Sequence, residues 1–428
     1  MKILFIACYS PLINNSASIE TLMYLNNLCN KDNNEVHLLT VDFPKNSIYY
    51  DEEILALLDK KVRIHKISGG KIFNKIMPKK LSKISEEVPF KDKKYYKKKL
   101  EILRAFKKKF IFPDMYYKWS FKASRYGINL TKREKFDVIF SMHEPPSSHL
   151  CAFRIKKAFK EIPWVLYWSD PWTKDLSREK TGALRKWVEK RKEKEVVSNG
   201  DRHIFVTEEN REDFIKEYGI LKEKCFIITR GYDGNLYNEI EKEKIPELLN
   251  KKKINLVYTG EIFSKLRDLN PFFEALEKLQ REEYEFLNRF NILFFGNIDN
   301  KELQEKLNRF SSVSFNPRVD YKTALKYMIH SDGLLIWGNR KSKQIPAKIY
   351  DYFGTKNPII SILGDEEDPL KSKVCDSEKC IVVNNNKDEI IDSFKKLEVL
   401  IRENKCFYEE KEYEWKNICN RLNSILKF

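Results

Sequence analysis

The sequence predicts an α/β protein built from two doubly wound, Rossmann-like domains, each with a parallel sheet. Three observations predict this class. Short, continuous apolar runs recur along the chain and are typical of strands buried on both faces of a parallel sheet. Segments with helical spacing separate these runs, and the whole pattern starts again near residue 253. The chain has 428 residues, enough for two to three domains of ~150 residues each.

The first predicted domain spans residues 1–230 and opens with a β-α-β unit. The run "KILFIACY" is its first strand, a helix with Leu22 and Leu25 on one face follows, and "EVHLLTV" is the second strand. The polar loop "SPLINNSAS" would lie at the carboxyl edge of the sheet, where open α/β sheets bind ligands. Further strands are predicted at 62–67, 137–142, 164–169 and 203–207, with helices at 147–160 and 183–198.

The second predicted domain spans residues 253–400 and repeats the alternation of strands and helices. A polar, loop-like segment at 231–252 is predicted to link the two domains. Helices at 401–428 are predicted to cross back to the first domain. The strands of the second domain are predicted at 254–261, 290–297, 312–317, 333–338, 358–363 and 380–384.

The charge of the chain is strongly positive and concentrated in one segment. The formal net charge is +17, and residues 71–125 hold 18 Lys or Arg against 5 Asp or Glu, a net +13. Within this segment Tyr96, Leu100 and Leu103 fall on one face of a predicted basic amphipathic helix, a pattern typical of elements on an anionic membrane surface. A solvated helix packed on its own domain and a nucleic-acid contact are the alternatives. The lysines assigned to the membrane or acceptor contact are Lys97, Lys98, Lys99, Lys107, Lys108 and Lys109.

The spacing of the cysteines and the hydropathy of the chain indicate its cellular compartment. Eight cysteines are scattered without a C-x-x-C pair or a spacing typical of metal sites, which favours a reduced cytosolic protein. No apolar run approaches the ~18 residues that a membrane-spanning helix needs, and the run before Cys8 is too short for a secretory signal. We therefore expect a cytoplasmic protein, peripheral on the inner face of the cell membrane.

A strand, a basic loop and a short helix follow one another in "GLLIWGNRKSKQIPAKIYDYFG". In a parallel sheet such a loop and the N-terminus of the next helix open onto one crevice, where unpaired backbone N–H groups favour an anion. Pro346 suits the first helical turn, Lys348 lies in that turn, and Asp351 follows on the same face. A cation beside a diphosphate and an acid beside ribose hydroxyls would suit a nucleotide. Ordinary surface chemistry of a helix is the alternative.

Three segments of the chain resemble the retaining glycosyltransferases of family four, whose GT-B fold has two Rossmann-like domains facing across a cleft. The first segment is "IPAKIYDYFGTKNPI". The resemblance implies that Lys348 contacts the donor diphosphate and that Asp351, in place of a family glutamate, contacts the ribose. The family often has another glutamate eight positions earlier, near the donor sugar. This sequence has Lys343 there, so the carboxylate on the sugar side stays unidentified.

The second segment, "LVYTGEIFSKLRDLNPFFEAL", resembles the family's strand, glycine turn, basic residues and helix. The resemblance places the turn at Gly260 and implies that Lys265 and Arg267 grip the donor diphosphate. Two cations would then stabilise the leaving nucleotide diphosphate without a metal. Without the other segments, the simpler interpretation would be that Lys265 and Arg267 are two solvent-facing cations in a loop.

The third segment, "FDVIFSMHEPPSSHLCAFRIKKAFKEIPWVLYWSDPW", is similar to a branch of the family that assembles bacterial surface glycans. Tyr167 and Ser169 stand where that branch has an acid and an arginine. Asp170 would end a strand and is a candidate catalytic residue on the acceptor side, with a helix N-cap as the alternative. His143 follows another strand and is a candidate to orient the acceptor or the donor sugar. A structural histidine is the alternative for His143.

The resemblance implies a hexosyltransferase-type enzyme that moves a sugar from a nucleotide-diphosphate sugar to a glycan or lipid-linked acceptor. Retention of configuration and independence from metals and other cofactors are expected. The expected partners are the nucleotide sugar, the acceptor and an anionic membrane surface rather than nucleic acid, in bacterial polysaccharide or surface-glycan assembly. A GT-B-fold epimerase of UDP-sugars shares the architecture. A non-catalytic nucleic-acid-binding protein is suggested by charge alone.

Overall fold

The computed structural model describes residues 1–79, 112–143, 145–174 and 182–428. The chain forms two compact units, one of residues 1–228 with 419–428 and one of residues 229–418. The predicted basic amphipathic helix lies outside the described residues, as do Lys97, Lys98, Lys99, Lys107, Lys108 and Lys109.

The first unit is built on a seven-stranded sheet. Its strands are β1 (Lys2–Ile6), β2 (Glu35–Asp42), β3 (Arg63–Ser68), β4 (Val138–Met142), β5 (Trp164–Trp168), β6 (Arg202–Phe205) and β7 (Cys225–Ile227). They lie in the order β3-β2-β1-β4-β5-β6-β7 and all pairs are parallel. Ile3 in the central strand lies beside Val36 of β2 and Val138 of β4. β4 and β5 are buried along their whole length, as expected of strands covered on both faces.

The described helices of the first unit connect these strands. Asn15 caps the first helix by accepting a hydrogen bond from the Ser18 N–H, and Thr207 caps the last by accepting one from the Asn210 N–H. These caps satisfy backbone donors where the chain leaves the carboxyl edge of the sheet. The helices are α1 (Ser16–Cys29), α2 (Glu52–Ala56), α3 (Lys71–Ile76), α4 (Tyr117–Glu134), α5 (Ser147–Ala158), α6 (Ala183–Ser198) and α7 (Glu208–Tyr218).

The second unit contains a six-stranded parallel sheet. Its strands are β8 (Ile254–Thr259), β9 (Phe290–Phe295), β10 (Val313–Asn316), β11 (Gly333–Trp337), β12 (Ile359–Leu363) and β13 (Cys380–Asn384). The order β10-β9-β8-β11-β12-β13 repeats the order of the first six strands of the other sheet. In both sheets the strand order therefore reverses beside the first strand of the unit.

The helices of the second unit alternate with these strands. None of the helices in the described ranges of the chain is both long and apolar enough to cross a membrane. The last helix begins in the second unit and continues from residue 419 in the first. The helices are α8 (Gly234–Glu241), α9 (Asn270–Glu282), α10 (Tyr284–Asn288), α11 (Lys301–Leu307), α12 (Tyr321–His330), α13 (Lys348–Phe353), α14 (Lys371–Val374), α15 (Lys387–Arg402) and α16 (Trp415–Leu426).

The predicted fold class is confirmed: both sheets are parallel and Rossmann-like. The sequence did not predict β7, because this strand is only three residues long and its apolar run is too short to stand out. The interval 231–252, predicted as a loop-like linker, contains α8. Asp233 caps this helix by accepting from the N–H groups of the second and third residues after it, and Tyr237 and Ile240 bury one narrow face. Two inward residues are too few for a helical pattern to stand out in the sequence.

Candidate functional site

The carboxyl edge of the second sheet carries the predicted donor-binding residues. β8 and β11 are hydrogen-bonded neighbours, with Gly333 beside Leu256. Because the strands are parallel, the loop after β8 (260–269) and the loop after β11 (338–347) leave from the same edge, at the point where the strand order reverses. Open α/β sheets bind ligands at such points.

Gly260 begins the first of these loops in a conformation that favours glycine. Its φ is +140°, and its N–H donates to the carbonyl oxygen of Phe295 at the end of β9, at 2.8 Å. Gly296 follows with φ +135°, and a Cβ there would collide with the Gly260 carbonyl. The two glycines thus let the turns after β8 and β9 pack backbone against backbone, which fixes where the loop begins.

Arg267 is half-buried and held by three neutral acceptors. Its Nε donates to Oδ1 of Asn339 at 3.1 Å, and its Nη1 donates to the Tyr258 hydroxyl at 3.0 Å and to the Glu261 carbonyl at 2.7 Å. Tyr258 and Asn339 are buried. These bonds fix the direction of the guanidinium without an ion pair to a described carboxylate. Burial raises the pKa of the Asp368 carboxyl, and the Arg267 charge opposes that rise. An arginine oriented in this way is suited to bind an anion with its remaining N–H groups.

The loop that carries Arg267 is tied down on two sides. Nη1 of Arg340 donates to Oδ2 of Asp268 at 3.0 Å, and its Nη2 donates to the Ser264 carbonyl at 3.2 Å. On the other side, Nδ2 of Asn385, which follows β13, donates to the Asp268 carbonyl at 2.7 Å. The loop is therefore held by residues that follow two other strands. Lys265, on the same loop, is exposed and forms no ion pair with a described residue.

Lys348 and Asp351 form an ion pair on α13. The Lys348 Nζ lies 3.2 Å from Oδ2 of Asp351 and 5.9 Å from the centre of the Tyr321 ring. Burial, and next the charge of Asp351, hold the pKa of the Tyr321 hydroxyl well above its usual value. The sequence assigns these two residues to the diphosphate and the ribose separately. In this structure they contact each other.

The C-terminal end of α13 is held by contacts with two strands and the loops beside them. The Tyr352 hydroxyl accepts a hydrogen bond from the Thr259 N–H at 3.1 Å, one residue before Gly260. The buried Lys379 ammonium donates to the carbonyls of Phe353 at 2.7 Å and Thr355 at 2.8 Å. Burial lowers the pKa of Lys379 to about 8. These contacts join the helix that carries Lys348 and Asp351 to the strand that leads into the Arg267 loop.

His143 and Asp170 follow the neighbouring strands β4 and β5 of the first sheet. The His143 N–H donates to the Tyr167 carbonyl at 2.7 Å, and the Ser169 hydroxyl donates to the His143 carbonyl at 3.0 Å. The His143 ring is buried, 5.5 Å from the Trp168 ring between centres. Asp170 is half-buried in the turn after β5, and no described helix begins directly after it. The structure thus brings the two predicted residues to one edge of the first sheet.

Two buried carboxylates anchor the turn that follows Asp170. Oε2 of Glu189 accepts from Nε1 of Trp172 at 3.2 Å, and Glu193 accepts from the Thr173 hydroxyl and its N–H. The Tyr218 hydroxyl also donates to Glu193, at 2.8 Å. Burial raises the pKa of Glu193, and these three donors oppose that rise. Both glutamates belong to α6, so this helix fixes the Asp170 turn.

Glu35, His37 and Glu134 lie close enough to hold a metal ion, but cations already occupy the group. The Lys2 Nζ lies 2.9 Å from Oε2 of Glu134, and Nη1 of Arg63 lies 2.7 Å from Oε1 of Glu35. The cluster is at the amino ends of the strands, opposite the edge that carries the predicted site residues. It is an ion-pair network.

Sequence reasoning missed Tyr258, Asn339 and Arg340. Arg340 stands in the basic loop that the sequence singled out, but its partner Asp268 is 72 positions away. Asn339 carries no charge and gives no signal of its own. A polar pair directly after a buried strand, as in "WGNR", is the feature that would have marked both.

Comparisons with known proteins agree with this architecture. The sequence model described as Glycosyltransferase Family 4 matches residues 85–235. No curated protein matches the chain. Among solved structures, a glycosyltransferase from Rickettsia africae is 11% identical with a TM-score of 0.61, covering 100% of this chain and 97% of that one. Sucrose-phosphate synthase from Thermosynechococcus elongatus is 12% identical with a TM-score of 0.58, covering 99% and 97%.

A third similar structure belongs to a different class of enzyme. UDP-GlcNAc 2-epimerase from Neisseria meningitidis, bound to UDP-GlcNAc, is 12% identical with a TM-score of 0.56, covering 100% of this chain and 99% of that one. Likeness at such identity shows the shared GT-B fold and not the reaction. Residues 85–235, about a third of the chain, are thus similar in sequence to Glycosyltransferase Family 4, and the whole chain shares its fold with the structures named above.

Proposed function

We propose that the protein is a glycosyltransferase that moves a sugar from a nucleotide-diphosphate sugar to an acceptor. In this proposal Arg267 and Lys265 bind the diphosphate of the donor, and Lys348 and Asp351 extend the site to the ribose. The observation that carries the proposal is the Arg267 guanidinium, held by three neutral acceptors. Its orientation is fixed before the donor arrives, while its charge is left for a ligand anion. Such a group stabilises the negative charge that develops on the leaving diphosphate, which is the metal-free role that the family resemblance implies.

The ion pair on α13 supports the extension to the ribose. Lys348 holds the Asp351 carboxylate in place, and an ionised carboxylate can accept hydrogen bonds from two neighbouring hydroxyls. A diphosphate bound nearby would compete with Asp351 for the Lys348 ammonium. Donor binding is therefore expected to turn Lys348 towards the phosphates and leave Asp351 to the ribose.

We assign the acceptor to the carboxyl edge of the first sheet. Asp170 serves as the catalytic residue on the acceptor side, and His143 orients the acceptor or the donor sugar. Their adjacency on β4 and β5 supports a shared role. The acceptor is a lipid-linked glycan of bacterial surface-polysaccharide assembly, reached at the cytoplasmic face of the membrane. The net charge of +17 and the resemblance of the Asp170 segment support this setting.

Two measurements on the wild-type enzyme test the donor assignment. Incubation with a panel of UDP-, GDP- and dTDP-sugars, without acceptor, should show slow hydrolysis of one sugar, unchanged by a chelator. Calorimetric titration with UDP and GDP should saturate at moderate salt. If neither nucleotide binds, and a random oligonucleotide binds with a steep salt dependence, the charge serves nucleic acid and the donor assignment is wrong.

Epimerisation of a UDP-sugar is the second candidate, favoured by the similar fold of the epimerase from N. meningitidis. The two reactions differ in whether the sugar leaves the nucleotide for an acceptor. Incubation with UDP-GlcNAc alone, followed by separation of the products, distinguishes them. An epimerised sugar, whether attached to UDP or released, would replace the transferase proposal, whereas free UDP with unchanged GlcNAc supports it.

A further inference from the structure

Three helices of the first unit form one outer layer whose surface chemistry the proposed function does not use. α5 packs against both α4 and α6. The Lys192 Nζ of α6 lies 5.8 Å from the centre of the Tyr117 ring of α4, and the Arg154 guanidinium of α5 lies 3.8 Å from the centre of the Phe121 ring of α4. We call the outward face of α4, α5 and α6 the three-helix surface.

On α4 this surface carries cations and no exposed carboxylate. The helix has one acidic residue, Glu134, which pairs with Lys2 at the far end. One apolar side chain, Phe121, is 42% exposed among the cations. The exposed cations of α4 are Lys118, Lys122, Arg125, Lys132 and Arg133.

On α6 the exposed face is more positive than the sequence of the helix suggests. "ALRKWVEKRKEKEVVS" contains six cations and three glutamates and suggests a balanced helix. Glu189 and Glu193 are buried against the Asp170 turn, so Glu195 is the exposed acid. Its partner is Arg191, and such an exposed pair is weak and screened by salt. Lys190 pairs with the half-buried Glu217 of α7. The exposed cations of α6 are Lys186, Lys190, Arg191 and Lys194.

Two large apolar side chains project from the first two turns of α6. Leu184 is 76% exposed and Trp187, three residues later, is 60% exposed. The other six tryptophans of the chain are buried. Tryptophan has an apolar ring and a polar N–H, and such side chains are enriched where hydrocarbon meets headgroups and water. An exposed leucine and tryptophan among cations mark a docking surface.

We propose that the three-helix surface binds an anionic lipid bilayer, with Leu184 and Trp187 entering the headgroup region and the cations of α4 and α6 contacting lipid phosphates. The inference rests on the proposed function for its purpose, because a lipid-linked acceptor is met at a membrane. Leu184, Trp187 and the cations of α6 lie outside the basic segment 71–125 to which the sequence assigns that contact, whereas the first turns of α4 belong to the end of that segment. The charge of the surface matches anionic lipid.

Other occupants fit this surface less well. A second copy would bring like charges together. Single-stranded nucleic acid binds cations and stacks its bases on aromatic rings, but an exposed leucine offers no stacking face. A bilayer accepts all three features at once: aliphatic carbon, an indole ring and surrounding ammonium and guanidinium groups.

Trp187 provides a reporter for the test. The full-length enzyme is mixed with vesicles of phosphatidylcholine, or of phosphatidylcholine with about a third phosphatidylglycerol. With the anionic vesicles we expect co-sedimentation, a blue shift of tryptophan emission and quenching by brominated lipid. The neutral vesicles should give far less of each. In Trp187→Phe the protein should still sediment while the shift and quenching disappear, which assigns the signal to this residue.

Substitutions then test the contributions of the apolar side chains and of the cations to vesicle binding separately. The double variant Leu184→Gln/Trp187→Gln should weaken vesicle binding by about tenfold or more, because both apolar anchors are lost. Its matched control is Tyr408→Gln, which removes an exposed aromatic side chain of the second unit. A variant with glutamine at all four exposed α6 cations should bind more weakly and with a shallower salt dependence, because the α4 cations remain. The control for charge is Lys251→Gln/Lys252→Gln, two exposed lysines of the second unit.

The vesicle-binding tests and the test of the donor assignment can fail independently. UDP binding is measured on each sample and should not change in these variants. Vesicle binding that survives in both the anchor and charge variants overturns the three-helix surface, as does binding that depends only on Lys97–Lys99 and Lys107–Lys109. Oligonucleotide binding that competes with vesicles overturns it in favour of nucleic acid. Loss of UDP binding with intact vesicle binding would instead contradict the donor proposal alone.

Discussion

The two sheets share one strand order but present different chemistry at their carboxyl edges. In the first unit the residues after β4 and β5 are surrounded by buried rings and buried carboxylates, as His143 and Glu193 illustrate. In the second unit the loop after β8 presents Arg267, half-buried and bonded to neutral groups. The difference teaches that the strand order fixes where a site can form, whereas the loops decide which charge it offers.

Acidification should produce the largest difference between the two units, because it should destabilise the first unit more than the second. Five of the six histidines lie in the first unit, and only His330 in the second. Burial lowers the pKa of His65 to about 4 and of His203 to about 3, and that of His149 well below its usual value. Each stays neutral in the folded protein while the unfolded chain takes up a proton below pH ~6.5. The stability they contribute is full above that pH and falls by up to ~1.4 kcal/mol per pH unit for each histidine as the pH drops to ~4.

Hydrogen exchange followed by mass spectrometry at stepped pH reads the two units separately. Peptides from β4, β5 and β6 should lose protection between pH ~6.5 and ~4, before peptides from β8, β11 and β12. His330→Gln should leave this order unchanged. Parallel loss of protection in both sheets would contradict the expectation that the first unit is the acid-sensitive one.

Removal of the Arg267 guanidinium should be the most damaging single change at the second edge. Arg267→Ala deletes the charge aimed at the donor diphosphate, and we expect sugar transfer or donor hydrolysis to fall about a hundredfold. The thermal midpoint should stay near that of Arg281→Ala, a control that removes an exposed arginine of α9. A rate equal to wild type would show that the diphosphate binds elsewhere.

Lys348→Ala should have a smaller effect in the same direction. We expect turnover to fall about tenfold, because one phosphate contact is lost and Asp351 loses the partner that orients it. Lys356→Ala is the matched control, since this lysine pairs with Glu241 on the surface of the same unit. Rate measurements at saturating donor distinguish the two variants. Equal rates would remove Lys348 from the donor site.

Asn339→Asp tests whether neutrality around Arg267 matters. The substitution keeps an acceptor oxygen for Nε but adds a negative charge beside the guanidinium, so UDP binding should weaken several-fold, about threefold to tenfold. Asn308→Asp adds the same charge at an exposed position of the second unit and should bind UDP like wild type. Unchanged or tighter binding in Asn339→Asp would mean that the Arg267 charge does not serve the nucleotide. Calorimetry gives the affinities.

The fold could be predicted from the sequence because its signals are local. Runs such as "INLVYT" and "GLLIW" are apolar throughout, since both faces of these strands are buried. β7 and α8 lack such signals because each is short or buries few side chains. Element order then fixed the parallel topology, as crossovers between parallel strands allow few arrangements.

The site could be predicted only in part, because its geometry depends on contacts between distant residues. Arg267 and Asn339 are 72 positions apart and meet only because β8 and β11 are neighbours. The inward turn of Glu189 and Glu193 depends on Trp172 and Thr173, which the sequence does not connect with them. The sequence therefore shows which positions carry a charge, but it does not show where these side chains point or which residues they contact.

Residues 419–428 complete the first unit although they are translated after all of the second. Asn423 accepts a hydrogen bond from Asn34 at 2.9 Å, and Arg202 donates to the Lys427 carbonyl at 2.7 Å. On the ribosome, the second unit can thus reach its full set of contacts while the first still waits for a missing piece. Synthesis in this order makes the earlier-made half the later one to mature, which reverses the usual sequence of folding along a nascent chain.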